Sequence, residues 1–205
     1  MEMWLVVALS AFVKNVIGLV TRPYETCRSI VDHGGFGELA YVAIFLFLYF
    51  AFASLVKVAS FRPFLLSRQF IVLTAATGVT YCFAVALFWT AGKLVGAQGK
   101  LKGLAVVWGY SLLPTLLWFL VTSILYIILP PPRTTSTAGV LFSILFLIFS
   151  ATLFFWKVTI AYLSLRFGLR LDLGKILIVL AGALPILAVY SYGMYRLGIF
   201  RIPFV

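Results

Sequence analysis

The chain has 205 residues, 64% of them hydrophobic and only 10% charged, with a mean hydropathy of +1.16. Soluble domains carry charge on roughly a quarter of their residues, so most of this chain cannot face water. Its net charge of +11 sits in short loops between apolar runs, which is a positive-inside pattern and argues against a nucleic-acid-binding face. Several runs approach the ~20 apolar residues that a helix needs to cross a bilayer, and none alternates as a transmembrane barrel strand would. The expected fold is therefore all-α: a polytopic integral membrane protein of five transmembrane helices plus an N-terminal interfacial amphipathic helix.

Residues 3–20 are apolar except for Ser10, Lys14, Asn15 and Gly18. Ser10, Lys14 and Gly18 recur every fourth residue and fall on one narrow helical stripe. That pattern favours a helix lying in the headgroup plane over its rival, a short span at the lower limit of length. The start, Met1-Glu2-Met3-Trp4, is acidic where a signal peptide needs a basic region. Thr21-Arg22-Pro23 opens a second short helix, because Pro is tolerated in a first turn, and Gly34-Gly35-Phe36-Gly37 ends it. His33, the sole histidine, lies at that turn and is read as structural.

The first span covers residues 39–56 and the second 70–91. The second carries Thr74, Gly78, Cys82, Ala86 and Thr90 at an unbroken spacing of four. Small residues let helices approach closely in lipid, so this stripe reads as a packing seam, within the chain in preference to between copies. A Gly- and Lys-rich turn with Lys100 and Lys102 then feeds the third span, 104–129, which stops at three prolines. Inside it, Gly109-Tyr110-Ser111-Leu112-Leu113-Pro114 predicts a kink, since Pro removes a backbone donor and clashes with the preceding turn. The fourth span, 138–156, continues as an amphipathic extension to residue 171; the fifth, 176–195, contains Pro185. The whole reads as one membrane domain: 1–37 the two short helices, 38–195 the bundle, 196–205 a tail.

With five spans, Lys14, Arg22, Arg28, Lys93, Lys100, Lys102, Lys157, Arg166, Arg170 and Lys175 share one side. Lys57, Arg62, Arg68, Arg133, Arg196 and Arg201 share the other. Ten against six favours a cytoplasmic N-terminus. The acids Glu2, Glu25, Asp32, Glu38 and Asp172 all fall in loops or at span ends, which argues against a proton-coupled pump. They form no carboxylate pair, and His33 has no Ser or Cys companion, so the chain is read as not an enzyme. Cys27 and Cys82 fall at different depths and have no metal-ligand spacing; neither metal nor cofactor is expected. Lys157, between Trp156 and Tyr162, is read as snorkelling to headgroups in preference to anchoring a buried anion. Lys100 and Lys102 lack the spacing of a phosphate-binding loop.

The Gly109-Tyr110-Ser111-Leu112-Leu113-Pro114 stretch resembles the Yip family, the Ypt/Rab-interacting integral membrane proteins. The likeness runs over roughly residues 21–195. It includes the Arg22-Pro23 entry, the Gly/Lys turn before the third span, the break itself and the count of five spans. The resemblance implies a cytosolic N-terminus and, from eukaryotic members, vesicle traffic with prenylated Rab GTPases or fellow members as partners. No long polar region precedes the spans here, which argues against a Rab GTPase partner. The compact form looks like prokaryotic members, which implies the cytoplasmic membrane.

The expected function is a non-enzymatic adaptor or membrane-organising component, with residues 3–20 inserted as a wedge in one leaflet. Arg22, Lys100, Lys102, Lys157, Arg166, Arg170 and Lys175 would hold lipid headgroups, anionic ones included, and a membrane protein or second copy would be the partner. The alternative is a small transporter, channel or lipid-moving protein that binds at Gly109, Tyr110, Ser111 and Pro114.

Overall fold

The computed structural model describes residues 2–57, 63–128 and 136–199. Arg62, Arg133, Arg201 and the three prolines at 130–132 lie outside the described residues. The helices are α1 (Glu2–Thr21), α2 (Pro23–His33), α3 (Phe36–Lys57), α4 (Pro63–Leu94), α5 (Leu101–Tyr110), α6 (Leu112–Ile128), α7 (Thr137–Leu163) and α8 (Leu173–Arg196). A π-helical turn, Ser164–Gly168, closes α7. There is no strand among the described residues.

Among the described residues, five segments are long and apolar enough to cross a membrane: Phe36–Leu55, Ser67–Leu94, Leu101–Leu125, Thr137–Gly168 and Leu173–Arg196. Their apolar side chains mostly point away from the protein. Only 6% of the fourth segment's most apolar window is buried inside the chain, and Leu141, Leu145 and Ile148 stand exposed along it. Such faces suit lipid, where the helix satisfies its own backbone and needs no partner.

The starts and stops follow local chemistry. Pro23 occupies the first turn of α2, and the Gly34 N–H closes it on the Ile30 carbonyl at 2.8 Å. Ser136 caps α7 by accepting from the Gly139 N–H at 3.1 Å. The third span breaks where expected: α5 ends at Tyr110 and α6 begins at Leu112. Pro114 has no N–H to return to the Tyr110 carbonyl, and Ser111 turns back instead, its N–H on the Trp108 carbonyl at 3.1 Å. Pro185, by contrast, is carried inside α8 without interruption.

Two apolar clusters share α5. Val106, Val107 and Tyr110 meet Phe12 and Leu19 of α1, Cys27 and Ile30 of α2, and Ile160 of α7. Leu104 meets Val85 and Phe88 of α4, Leu165 and Leu169 near the π turn, and Ile176 of α8. The second cluster forms because backbones approach closely. A Cβ on Gly99 would overlap the Gly168 carbonyl and Leu169 Cα, and one on Gly168 would overlap the Leu104 backbone. The Gly99 N–H donates to the Leu169 carbonyl at 3.1 Å. The Gly-rich turn therefore seats the start of α5 against the end of the fourth span.

The small-residue stripe of α4 is not a seam within the chain. Gly78, Cys82, Ala86 and Thr90 face outward, and a Cβ at Gly78 would meet nothing within 4 Å. The helix buries Ala76, Ala84, Val85 and Phe88 instead, so bulk toward α5 and α8 decided which face turned inward. Thr74 and Gly78 border a lateral apolar groove of about 290 Å³ between α3 and α4.

Gly99→Ala and Gly168→Ala should each destabilise the protein by ~1–3 kcal/mol through overpacking. Gly182→Ala, where a Cβ meets nothing within 4 Å, should be neutral or slightly stabilising. Thermal unfolding of the three variants in detergent checks the order.

Candidate functional site

Glu38 is the third residue of α3, and its position in that first turn decides its role. One carboxylate oxygen, Oε1, accepts from the Gly35 N–H at 3.2 Å, the reach-back half of a capping box. The other, Oε2, accepts from Asn15 Nδ2 of α1 at 2.7 Å and from the Tyr110 hydroxyl of α5 at 2.5 Å. Glu38 is 6% exposed and Tyr110 0%. No basic side chain pairs with Glu38 among the described residues; three donors take the place of a counter-ion.

The same three helices meet through aromatic rings. Phe12 stacks on Tyr110 with ring centres 5.8 Å apart, and on Tyr41 and Phe45 of α3. Asn15 follows Phe12 by three residues and so shares its face. At the far end of α1, Trp156 Nε1 of α7 donates to the Leu19 carbonyl at 3.2 Å. Phe12, Asn15 and Leu19 thus dock α1 on the bundle. A second face is left outside, apolar along Leu9, Val13, Ile17 and Val20, and polar along Ser10, Lys14 and Thr21. Of the stripe expected from the sequence, Ser10 and Lys14 face outward, whereas Gly18 packs against Thr26 of α2, and part of the apolar surface expected to meet lipid is spent on the protein itself.

The residues of the helix break are packed. A Cβ at Gly109 would overlap Leu39, the Ser111 hydroxyl donates to the Trp108 carbonyl at 2.6 Å, and Pro114 is buried. The lateral groove and two further clefts are lined by other residues, not by Tyr110 or Ser111. Tyr110 is brought to Glu38 and Asn15, a pairing that the sequence reading did not make.

The chain matches the Yip1 domain over residues 17–194. It belongs to the Yip1 domain family. No curated protein and no solved structure matches it. Within this Yip1 domain Glu38 and Tyr110 lie inside the matched region, whereas Asn15 lies two residues ahead of it.

The basic residues gather at the end of the domain where α1 and α2 sit. Lys100 and Lys102 flank the start of α5, which Gly99 joins to the turn holding Arg166 and Arg170. Tyr24 of α2 meets Phe167 edge to face, with centres 4.7 Å apart, which brings the start of α2 to the same turn, while Arg22 itself stands beside Glu25. Lys175 opens α8 beside it, and Lys157 follows the Trp156 that bonds α1. Arg170 is held at φ 56°, a left-handed conformation that costs a non-glycine residue ~1–2 kcal/mol. Lys100, Lys102, Arg170, Lys175 and Arg22 are exposed; Lys157 and Arg166 are half-buried.

Cys27 reports on this assembly. It is fully buried under α1, and burial pushes its thiol up to about 12. Alkylation at pH 8 should be slow, and its rate should keep rising beyond pH 9 toward about 12, because the thiolate is the reactive form. Glu38→Leu removes both acceptor oxygens and leaves the Asn15 and Tyr110 donors unpaired, at ~1–3 kcal/mol. It should release α1 and speed Cys27 alkylation in a Cys82→Ala background; an unchanged rate would show that the hydrogen bonds do not hold the helix.

Proposed function

We propose that this Yip1-domain protein is a non-enzymatic membrane-organising component, an adaptor that shapes or marks one leaflet. The observation that carries the reading is the division of α1 into a docked face and an outward apolar face, Leu9, Val13, Ile17 and Val20. A helix pinned to the bundle by one side and greasy on another occupies area in one leaflet only, which is the action of a wedge. Residues 1–37 would supply this interfacial part, 38–195 the anchoring bundle and 196–205 a tail.

Orientation is part of the proposal. The basic end faces the cytoplasm of a cytoplasmic membrane, with the N-terminus inside. Arg22, Lys100, Lys102, Lys157, Arg166, Arg170 and Lys175 then reach the headgroup layer, at ~1 kcal/mol each on an anionic surface. A membrane protein or a second copy of this chain is the expected partner.

The transporter reading draws its support from the interruption at Ser111. The packed surroundings of Tyr110 and Ser111 favour the membrane-organising reading instead. Reconstituted Pro114→Ala should therefore match the parent in solute flux and lipid scrambling; parent-specific transport that the variant lacks would reverse the preference.

Leu9→Glu combined with Val13→Glu places charge on the outward face without touching the docked one. In vesicles containing phosphatidylglycerol, the parent should shift the size distribution toward smaller diameters and the double variant should not. Both proteins should melt within a few degrees of each other. Equal remodelling by parent and variant would remove the wedge.

A further inference from the structure

Beside Asn15, a cleft of about 310 Å³ opens between α1 and α2, at the lower end of small-ligand pockets (~300–1,000 Å³). Lys14, Asn15, Arg22, Glu25, Thr26 and Ser29 line it, with Ile17 as an apolar lip. Two cations and one carboxylate therefore face a single small volume. Arg22 Nη1 and Glu25 Oε2 stand 3.7 Å apart, and their side chains are 78% and 72% exposed, so the pair is loose and open to a competitor. Arg22 sits at the N-cap of α2 without making a side-chain cap, and Pro23 has no N–H. The N–H groups of Tyr24 and Glu25 thus lie free of the helical ladder at the same end.

We infer that this cleft binds the headgroup of an aminophospholipid of the phosphatidylethanolamine type. The phosphodiester lies between Lys14 and Arg22, near the first turn of α2. The ammonium lies against the Glu25 carboxylate and displaces its long contact with Arg22. The acyl chains leave over Ile17 and run along the outward apolar row of α1. An anionic headgroup would meet the same cations but would also meet Glu25, a like charge with nothing to receive. The inference rests on the reading that α1 lies in the headgroup layer, and it adds a headgroup preference to the general attraction of the basic end.

The test is native mass spectrometry of the detergent-purified full chain, titrated with short-chain phosphatidylethanolamine or phosphatidylglycerol at equal concentration. The parent should retain phosphatidylethanolamine about three- to fivefold better, the scale of one exposed charge contact. Glu25→Gln should lower phosphatidylethanolamine retention, raise that of phosphatidylglycerol and remove the preference. Lys14→Ala with Arg22→Ala should lower both lipids by a similar factor. Millimolar inorganic phosphate should leave the lipid bound, because the acyl contacts are part of the site. A parent that holds phosphatidylglycerol as well or better, or a Glu25→Gln variant that keeps the preference, would overturn the inference. Loss of the preference with vesicle remodelling intact would leave the wedge standing. Loss of remodelling with the preference intact would remove the wedge alone.

Discussion

A carboxylate with no cation beside it among the described residues governs how the N-terminal third of this protein is arranged. Glu38 sits at the start of the first span, and burying it is tolerable only while its oxygens are occupied by donors. Those donors come from the turn before α3, from α1 and from α5. The requirement therefore joins elements as far apart as residues 15, 38 and 110. It also sets which face of α1 turns inward, since Asn15 and Phe12 share a face. What α1 then leaves exposed is the remainder: an apolar row and a polar row side by side.

The second organising element is α5, whose two sides carry the two apolar clusters. It is short because the chain turns at Ser111, and its start is placed by glycine backbones that meet without side chains between them. The outer helices make few such contacts. Helix α7 and helix α8 lie against the bundle along narrow strips and present most of their apolar surface outward, as expected where the surrounding solvent is itself apolar.

Much of this architecture was legible in the chain because the signals are local. Apolar run length gave the five spans, Pro23 and Gly34 bounded α2, and Pro114 marked the break. The basic residues that converge at one end were separable from the rest by counting loops. What escaped were the contacts that depend on distance. Nothing near Glu38 announces that Asn15 and Tyr110 will reach it, although the Gly35–Glu38 spacing of a capping box was a readable hint that this acid turns back onto its own helix. Reading Glu38 as a span-end acid was right about its place, but the expectation that no acid enters the bundle fails, because Glu38 is buried between α1, α3 and α5. The α4 stripe failed for a related reason: small residues permit close approach without requiring it, and Phe88 and Val85 had more surface to bury.

The central claim is that α1 lies within one leaflet, pinned by the Glu38 hydrogen bonds, and does not cross the bilayer. Spin labels placed singly at Leu9, Val13, Ile17 and Val20 in reconstituted protein measure their depth directly. Four similar depths near the headgroup boundary are predicted. A steady progression through the hydrocarbon, ~1.5 Å per residue or ~16 Å from the first label to the last, would contradict it.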